Sequence, residues 1–138
     1  MIKEISSSEA YGILQESVDA VLIDVRTKME YEYVGHPKDS IHIALKEPPE
    51  WKTFSSFVHD VSSLLKEKFP DVGDLPSIKI FLICRSGKRS SEAALLLEAD
   101  GYKYLFNVYD GFEGDKNTNG HRSLINGWRF SNLPWEQN

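Results

Sequence analysis

Residues 78–100, IKIFLICRSGKRSSEAALLLEAD, show the clearest structural pattern in the sequence. The run at 78–83 is almost entirely apolar, which is typical of a strand buried on both faces of a parallel sheet. Residues 90–100 are rich in alanine and leucine and predict a helix, and Gly101 suits the position just beyond its end. The six residues at 84–89 join this strand to this helix, and a strand, a short loop and a helix in that order favour an α/β domain.

Other short apolar runs and helical stripes extend this pattern in both directions along the chain. Further strands are predicted at 20–25, 40–45 and 104–108, and further helices are predicted to begin after the capping residue Ser6 and at Glu50. The resulting order is helix, strand, short strand, helix, strand, helix, strand. This alternation predicts an α/β fold with a central, mainly parallel sheet and helices on both faces.

The length of the chain fits a single domain over residues 1–138. Within it, residues 46–76 are predicted to form an extended loop-helix segment, whose apolar stripe places Trp51 in the core. Residues 115–138 are predicted to form a C-terminal loop and a tail. Because this tail carries two of the three tryptophans, we expect it to pack on the core.

The composition excludes several classes of function. The chain has 16 Lys and Arg against 21 Asp and Glu, a net charge of −5, which disfavours general binding to nucleic acid or to an anionic membrane. With Cys84 as the single cysteine, neither an internal disulfide nor a zinc site with several cysteine ligands can form. We therefore predict no metal and no cofactor. No secretory signal and no membrane-spanning run is visible, so we expect a cytoplasmic location.

The six-residue loop between the strand and the helix has the features of an anion site. In open α/β sheets ligands bind at the carboxyl ends of strands, and the N-terminus of a helix attracts negative charge. Arg85, Lys88 and Arg89 add positive charge, and Gly87 lets the backbone curl tightly. Such a setting favours a thiolate, the nucleophilic form of sulfur. Cys84 is therefore predicted to be an activated nucleophile in an anion cradle, and the alternative is a buried structural cysteine.

The segment CRSGKRS at 84–90, between an apolar strand and an alanine-rich helix, resembles the active-site loop of the rhodanese family of sulfurtransferases. The stretches LIDVRTKMEYEYVGHPKDSIHIAL at 22–45 and YLFNVYDGFEGD at 104–115 are similar to two further family motifs, in the same order. The end of the chain, NGWRFSNLPWEQ at 126–137, is similar to the tail of some bacterial single-domain members. One departure is Asp110, which stands where many members have the first glycine of a pair.

The resemblance implies a single rhodanese-like domain that transfers sulfur. Cys84 would accept a sulfane sulfur from a small anionic donor such as thiosulfate and become a persulfide. A thiophilic acceptor would then remove the sulfur: cyanide in assays, a cellular thiol, or a sulfur-accepting protein. The residues that would bind the substrate through backbone amides and charge are Arg85, Ser86, Gly87, Lys88, Arg89 and Ser90, with Ser90 at the start of the helix.

Four matched residues are predicted to support the loop: Asp24, Arg26, Glu30 and His36. Arg26 precedes Glu30 by four positions, so we expect an ion pair between them to hold the turn after the strand. His36 is expected to fix the neighbouring loop by a hydrogen bond.

Three alternative functions are left open by the sequence. Related phosphatases and arsenate reductases use a cysteine and an arginine separated by five residues, whereas only four residues separate Cys84 from Arg89. This shorter loop suits a single sulfur atom better than a tetrahedral oxyanion. Some rhodanese-like domains are non-catalytic binding modules, but these usually lack the cysteine. A protein-to-protein sulfur carrier would keep the same persulfide, and the sequence does not distinguish it from a small-molecule transferase.

Overall fold

Five parallel strands form the central sheet in the computed structural model, which describes residues 1–138. The strands are β1 (Ile2–Ile5), β2 (Ala20–Asp24), β3 (His36–Pro37), β4 (Ile41–His42), β5 (Lys79–Ile83), β6 (Tyr104–Val108) and β7 (Trp135–Glu136). The helices are α1 (Ser7–Glu16), α2 (Phe57–Lys68) and α3 (Lys88–Ala99), with a π-helical turn at Glu30–Val34 and a 3₁₀ turn at Leu75–Ser77. The sheet order is β1-β6-β5-β2-β4, and β3 pairs with β7 in a separate antiparallel ribbon. None of the helices has the length and hydrophobicity needed to cross a membrane.

The sheet separates two apolar cores, and this confirms the predicted α/β architecture with helices on both faces. Along β5, Ile80 and Leu82 enter the core that also contains side chains of α2 and α3. The alternate residues, Phe81 and Ile83, enter the second core, where Ala10 of α1 packs. Successive side chains of a strand point to opposite faces, so a run buried on both faces must be apolar throughout. The central position of β5 places the carboxyl end of this strand, and the loop that follows it, in the middle of one edge of the sheet.

Two strands differ from the sequence prediction. The strand predicted at 40–45 is only two residues long, Ile41–His42, and it pairs with the last two residues of β2. The strand β1 was not predicted, because its sequence, IKEI, is short and half charged. It lies at the edge of the sheet beside β6, where polar side chains can face solvent.

The helix predicted to begin at Glu50 begins instead at Phe57. Residues 46–56 form a loop, because a backbone bridge between Lys46 and Thr53 turns the chain back on itself. Trp51 therefore lies on this loop with 50% of its surface exposed, and the prediction that it belongs to the core is wrong. The aromatic residues at 51–57 have the spacing of a helix, but the helix does not extend back from Phe57 to residue 51.

The C-terminal tail lies across the segment that follows β2. Trp128 is buried, and its indole N–H donates to the carbonyl oxygen of Pro134 at 2.8 Å. Beyond it, β7 pairs with β3, with Trp135 opposite Pro37. Gln137 and the backbone N–H of Asn138 also donate to the carbonyl oxygens of Tyr33 and Glu32, which holds the tail against the π-helical turn.

Candidate active site

Cys84 lies directly after β5, at the carboxyl end of the central strand, and only 1% of its surface is exposed. Its Sγ accepts a hydrogen bond from the backbone N–H of Gly87 at 3.1 Å. Gly87 has a φ of +101°, and a Cβ at this position would lie 2.4 Å from the carbonyl oxygen of Tyr109. The loop can therefore turn this tightly around the sulfur only with glycine at that position.

The helix α3 begins at Lys88, two residues earlier than the sequence indicates. Gly87 is its N-cap residue and no side chain caps this end, so the helix does not start at Ser90 as the sequence predicts. Ser90 lies instead inside the first turn and is fully buried, with Oγ 3.2 Å from Sγ of Cys84. The early start of the helix thus places a hydroxyl, and not only backbone amides, against the thiol.

The three cations at positions 85, 88 and 89 have different environments. Arg85 and Lys88 are exposed, and neither forms an ion pair. Arg89 is largely buried and makes two hydrogen bonds to the carboxylate of Glu30, with Nη1–Oε1 at 2.7 Å and Nη2–Oε2 at 2.9 Å. Two positive charges are therefore available to an incoming anion, and the third anchors α3 to the π-helical turn.

The predicted ion pair between Arg26 and Glu30 is absent, because Arg26 pairs with Asp24. The two side chains are fully buried, and Nη2 of Arg26 lies 2.7 Å from Oδ2 of Asp24. The same nitrogen donates to the carbonyl oxygen of Gly35 at 2.6 Å, and the guanidinium carbon lies 4.5 Å from the ring centroid of Phe112. A separation of four residues makes side chains neighbours on a helix, but the chain leaves β2 in a turn. The pair thereby connects the end of β2 to the backbone at Gly35.

Glu30 is the residue of the π-helical turn that contacts α3, through Arg89. Burial acts to raise the pKa of this carboxyl group, but the hydrogen bonds and charge of Arg89 outweigh burial. Together with hydrogen bonds from Thr27, they lower the pKa from 4.5 to about 2. The ionised form of Glu30 is therefore part of the folded structure.

We expect this lowered pKa to make the stability of the protein depend on pH at the acidic end. A carboxyl group with a lower pKa in the folded state stabilises the fold above its unfolded pKa, and this stabilisation is lost as pH falls. For Glu30 the loss occurs between about 4.5 and about 2. Urea unfolding across that range should show a smaller decrease for Glu30→Gln than for the wild type. Glu32→Gln, on the same turn, is the control, and equal decreases in all three proteins would contradict the assignment.

His36 and Asp110 hold the segments that surround the site. Nδ1 of His36 lies 2.8 Å from the carbonyl oxygen of Tyr31, and the two rings stack with centroids 3.8 Å apart. Asp110, the departure from the family pattern, is buried and accepts hydrogen bonds from the backbone N–H groups of Ser7 and Gly127, at 2.9 and 3.1 Å. The carboxylate thus connects the start of α1 to the C-terminal tail, which a glycine could not do.

Two residues near the thiol were not found by sequence reasoning. Asn107 of β6 is buried, and its amide contacts both Ser90 and the carbonyl oxygen of Gly87. Glu4 of β1 contacts the same amide. The only sequence signal for Asn107 is an amide within an otherwise apolar strand, and Glu4 gives no signal. Elsewhere, no three His, Cys, Asp or Glu side chains come together as a set of metal ligands.

The sequence and the fold were compared with those of known proteins. Residues 6–118 match the family model described as Rhodanese-like domain. The thiosulfate sulfurtransferase GlpE of Haemophilus influenzae is 30% identical over 112 residues, which are 81% of this chain and 86% of that protein. An uncharacterised protein of Rickettsia rickettsii is 33% identical over 138 residues, with 98% of each chain covered.

Solved structures show the same architecture. A crystal structure of a protein from M. tuberculosis superposes with a TM-score of 0.81 and 29% identity, covering 99% of this chain and 98% of that one. The solution structure of the polysulfide-sulfur transferase homodimer of Wolinella succinogenes has a TM-score of 0.62 and 22% identity, covering 99% of this chain and 80% of that one. The second likeness concerns the fold alone.

Proposed function

Because the chain belongs to the rhodanese-like domain family, we propose that it is a sulfurtransferase that uses Cys84 to move a sulfane sulfur from a small anionic donor to a thiol acceptor. The observation that carries this proposal is the position of the thiol. It lies at the end of the central strand, receives the N–H of Gly87 and is followed by a cationic loop. The 30% identity to a thiosulfate sulfurtransferase supports thiosulfate as the donor.

The reaction would proceed in two displacement steps. The thiolate form of Cys84 attacks the outer sulfur of thiosulfate. A sulfur–sulfur bond forms at Cys84 while the sulfur–sulfur bond of thiosulfate breaks, and sulfite leaves with the bonding electron pair. An acceptor thiolate, or cyanide in an assay, then attacks the outer sulfur and releases the Cys84 thiolate. Because the chain has no second cysteine, the persulfide cannot resolve into an internal disulfide, and the sulfur must pass to an outside acceptor.

The unpaired loop cations suit a donor that carries negative charge. Arg85 and Lys88 are exposed beside the sulfur-binding turn, and no carboxylate neutralises either of them. Preorganised positive charge and N–H groups at this point stabilise the negative charge on the transferred sulfur and on the leaving sulfite. The net charge of −5 therefore does not describe the local potential at the site.

The pairing of Arg89 with Glu30 favours sulfur transfer over phosphate or arsenate chemistry. A tetrahedral oxyanion is best held by an arginine whose fork of N–H groups is free to bind two oxygens. Both terminal nitrogens of Arg89 are already engaged by Glu30, at 2.7 and 2.9 Å. An aryl phosphate is therefore expected to be a poor substrate beside thiosulfate.

Intact-mass spectrometry after incubation with thiosulfate tests the proposal directly. We expect the protein to gain the mass of one sulfur atom, and a reductant should remove it. A persulfide is a covalent state of the enzyme, so it can be observed without knowledge of the physiological acceptor. The absence of any adduct under conditions where iodoacetamide still alkylates Cys84 would contradict sulfur transfer and favour a binding module.

A further inference from the structure

A chain of hydrogen bonds through Ser90 and Asn107 connects the thiol of Cys84 to Glu4 of the edge strand β1. Sγ of Cys84 lies 3.2 Å from Oγ of Ser90, whose hydroxyl donates to Oδ1 of Asn107 at 2.5 Å. Nδ2 of Asn107 in turn donates to Oε1 of Glu4 at 2.9 Å. Ser90 and Asn107 are 0% and 2% exposed, so solvent does not compete for their hydrogen bonds. Glu4 lies at the exposed end of the path and outside residues 6–118, which match the family.

The direction of every hydrogen bond in this path follows from the chemistry of its members. Nδ2 of Asn107 faces two groups that can only accept, the carboxylate of Glu4 and the carbonyl oxygen of Gly87, which lies at 3.2 Å. The amide therefore cannot be reversed, and its oxygen must face Ser90. Because an amide oxygen only accepts, the hydroxyl proton of Ser90 points to Asn107, and an oxygen lone pair points to the sulfur.

We propose that Asn107 and Glu4 are positioning residues that hold the hydroxyl proton of Ser90 away from the sulfur of Cys84. In the thiol form, the S–H group can donate to the lone pair of Ser90. In the thiolate form, the sulfur keeps the N–H of Gly87 as a donor but gains none from Ser90. A thiolate stabilised by fewer donors is more basic, and a more basic thiolate is a stronger nucleophile. The path would thus maintain the nucleophilicity of the thiolate form.

This inference rests on the proposed function, in which Cys84 attacks a donor and the nucleophilicity of its sulfur therefore matters. Its test does not require sulfur transfer, because iodoacetamide alkylates the thiolate directly. The rate should be measured on the alkaline plateau of the pH–rate profile, where the sulfur is ionised in every variant. Differences between variants then report nucleophilicity and not the ionised fraction.

Removal of the Glu4 carboxylate is the first test. In Glu4→Ala only the 3.2 Å bond to Gly87 still orients the amide, so the hydroxyl of Ser90 can turn to the thiolate. We expect the alkylation rate constant to fall about threefold, because nucleophilicity follows thiolate basicity with a Brønsted slope of about 0.4–0.5. Glu4→Gln keeps an acceptor oxygen without the charge and should restore the rate. Glu16→Ala, which removes an exposed carboxylate at the end of α1, is the control for net charge.

A double variant tests whether the effect of Glu4 on the alkylation rate depends on the hydroxyl of Ser90. In a Ser90→Ala background no hydroxyl can turn to the sulfur, so adding Glu4→Ala should leave the alkylation rate unchanged. A further loss in that background, or a Glu4→Gln protein as slow as Glu4→Ala, would overturn the inference. If Ser90→Ala does not fold, the alkylation rates of Glu4→Ala and Glu4→Gln test the inference without it. Glu4 is exposed, so either replacement leaves the core intact.

The two proposals can fail separately. A wild-type protein that forms no persulfide would contradict sulfur transfer and leave the alkylation comparison valid. A normal persulfide yield with no difference between Glu4→Ala and the wild type would support sulfur transfer and contradict the positioning role.

Discussion

Cys84→Ser is expected to lower thiosulfate:cyanide sulfurtransferase turnover by at least about a thousandfold, to the background rate of the uncatalysed reaction. A serine hydroxyl is not ionised near neutral pH and is a poor nucleophile toward sulfur. It also cannot store the transferred sulfur as a persulfide, so both steps are lost together. The loss should therefore appear in turnover, and intact mass should show no sulfur adduct on the variant.

The serine variant should keep the fold, which separates loss of chemistry from loss of structure. Oxygen is smaller than sulfur and can accept the same N–H from Gly87, so the loop has no reason to open. Equal urea midpoints for the variant and the wild type would show this. A serine variant that retained most of the turnover would mean that Cys84 is not the nucleophile.

Asp24→Ala is expected to lower the free energy of unfolding by about 3–5 kcal/mol, the typical cost of removing one partner from a buried ion pair. The two charges of the pair are fully buried, and Nη1 of Arg26 already has no hydrogen-bond partner. Without the carboxylate, the guanidinium would remain buried with only the carbonyl oxygen of Gly35 as an acceptor. Urea unfolding at neutral pH measures the change.

Two further variants distinguish a buried unpaired charge from a general effect of losing a carboxylate. Asp19→Ala breaks an ion pair with Lys79 at the surface, where solvent screens the charges, and should change the urea midpoint little. The double variant Asp24→Ala with Arg26→Met removes both buried charges and should recover part of the stability. Equal losses for Asp24→Ala and Asp19→Ala would contradict the structural role of the buried pair.

The parts of the fold that local patterns specify were predictable. The apolar run before Cys84 gave a strand buried on both faces, and the alternation of elements gave a parallel sheet with helices on each side. The prediction of secondary structure was wrong where polar or aromatic residues have a spacing that is typical of a different element. The charged strand β1 was not recognised, and the aromatic spacing at 51–57 suggested helix where the structure has a loop.

The candidate site also has a part that the sequence predicts and a part that it does not. The cysteine and the cations of its loop are adjacent in sequence, so their proximity is guaranteed by the chain itself. The partners of these residues are distant. Glu30 and Arg89 are 59 positions apart, and Glu4 and Asn107 are 103 apart. Spacing rules for helices and strands carry no information about such pairs.

The order of the elements, the family resemblance and the candidate nucleophile can therefore be read from the chain, because each depends on residues that are close together in it. Which charges are paired and which remain available depends on contacts between residues that are far apart in the chain. The tertiary structure placed Arg89 on Glu30, buried Arg26 with Asp24, and left Lys88 exposed. The physical reason is that the parallel sheet brings the carboxyl ends of distant strands to one edge, and side chains from these ends find their partners only after the strands have paired.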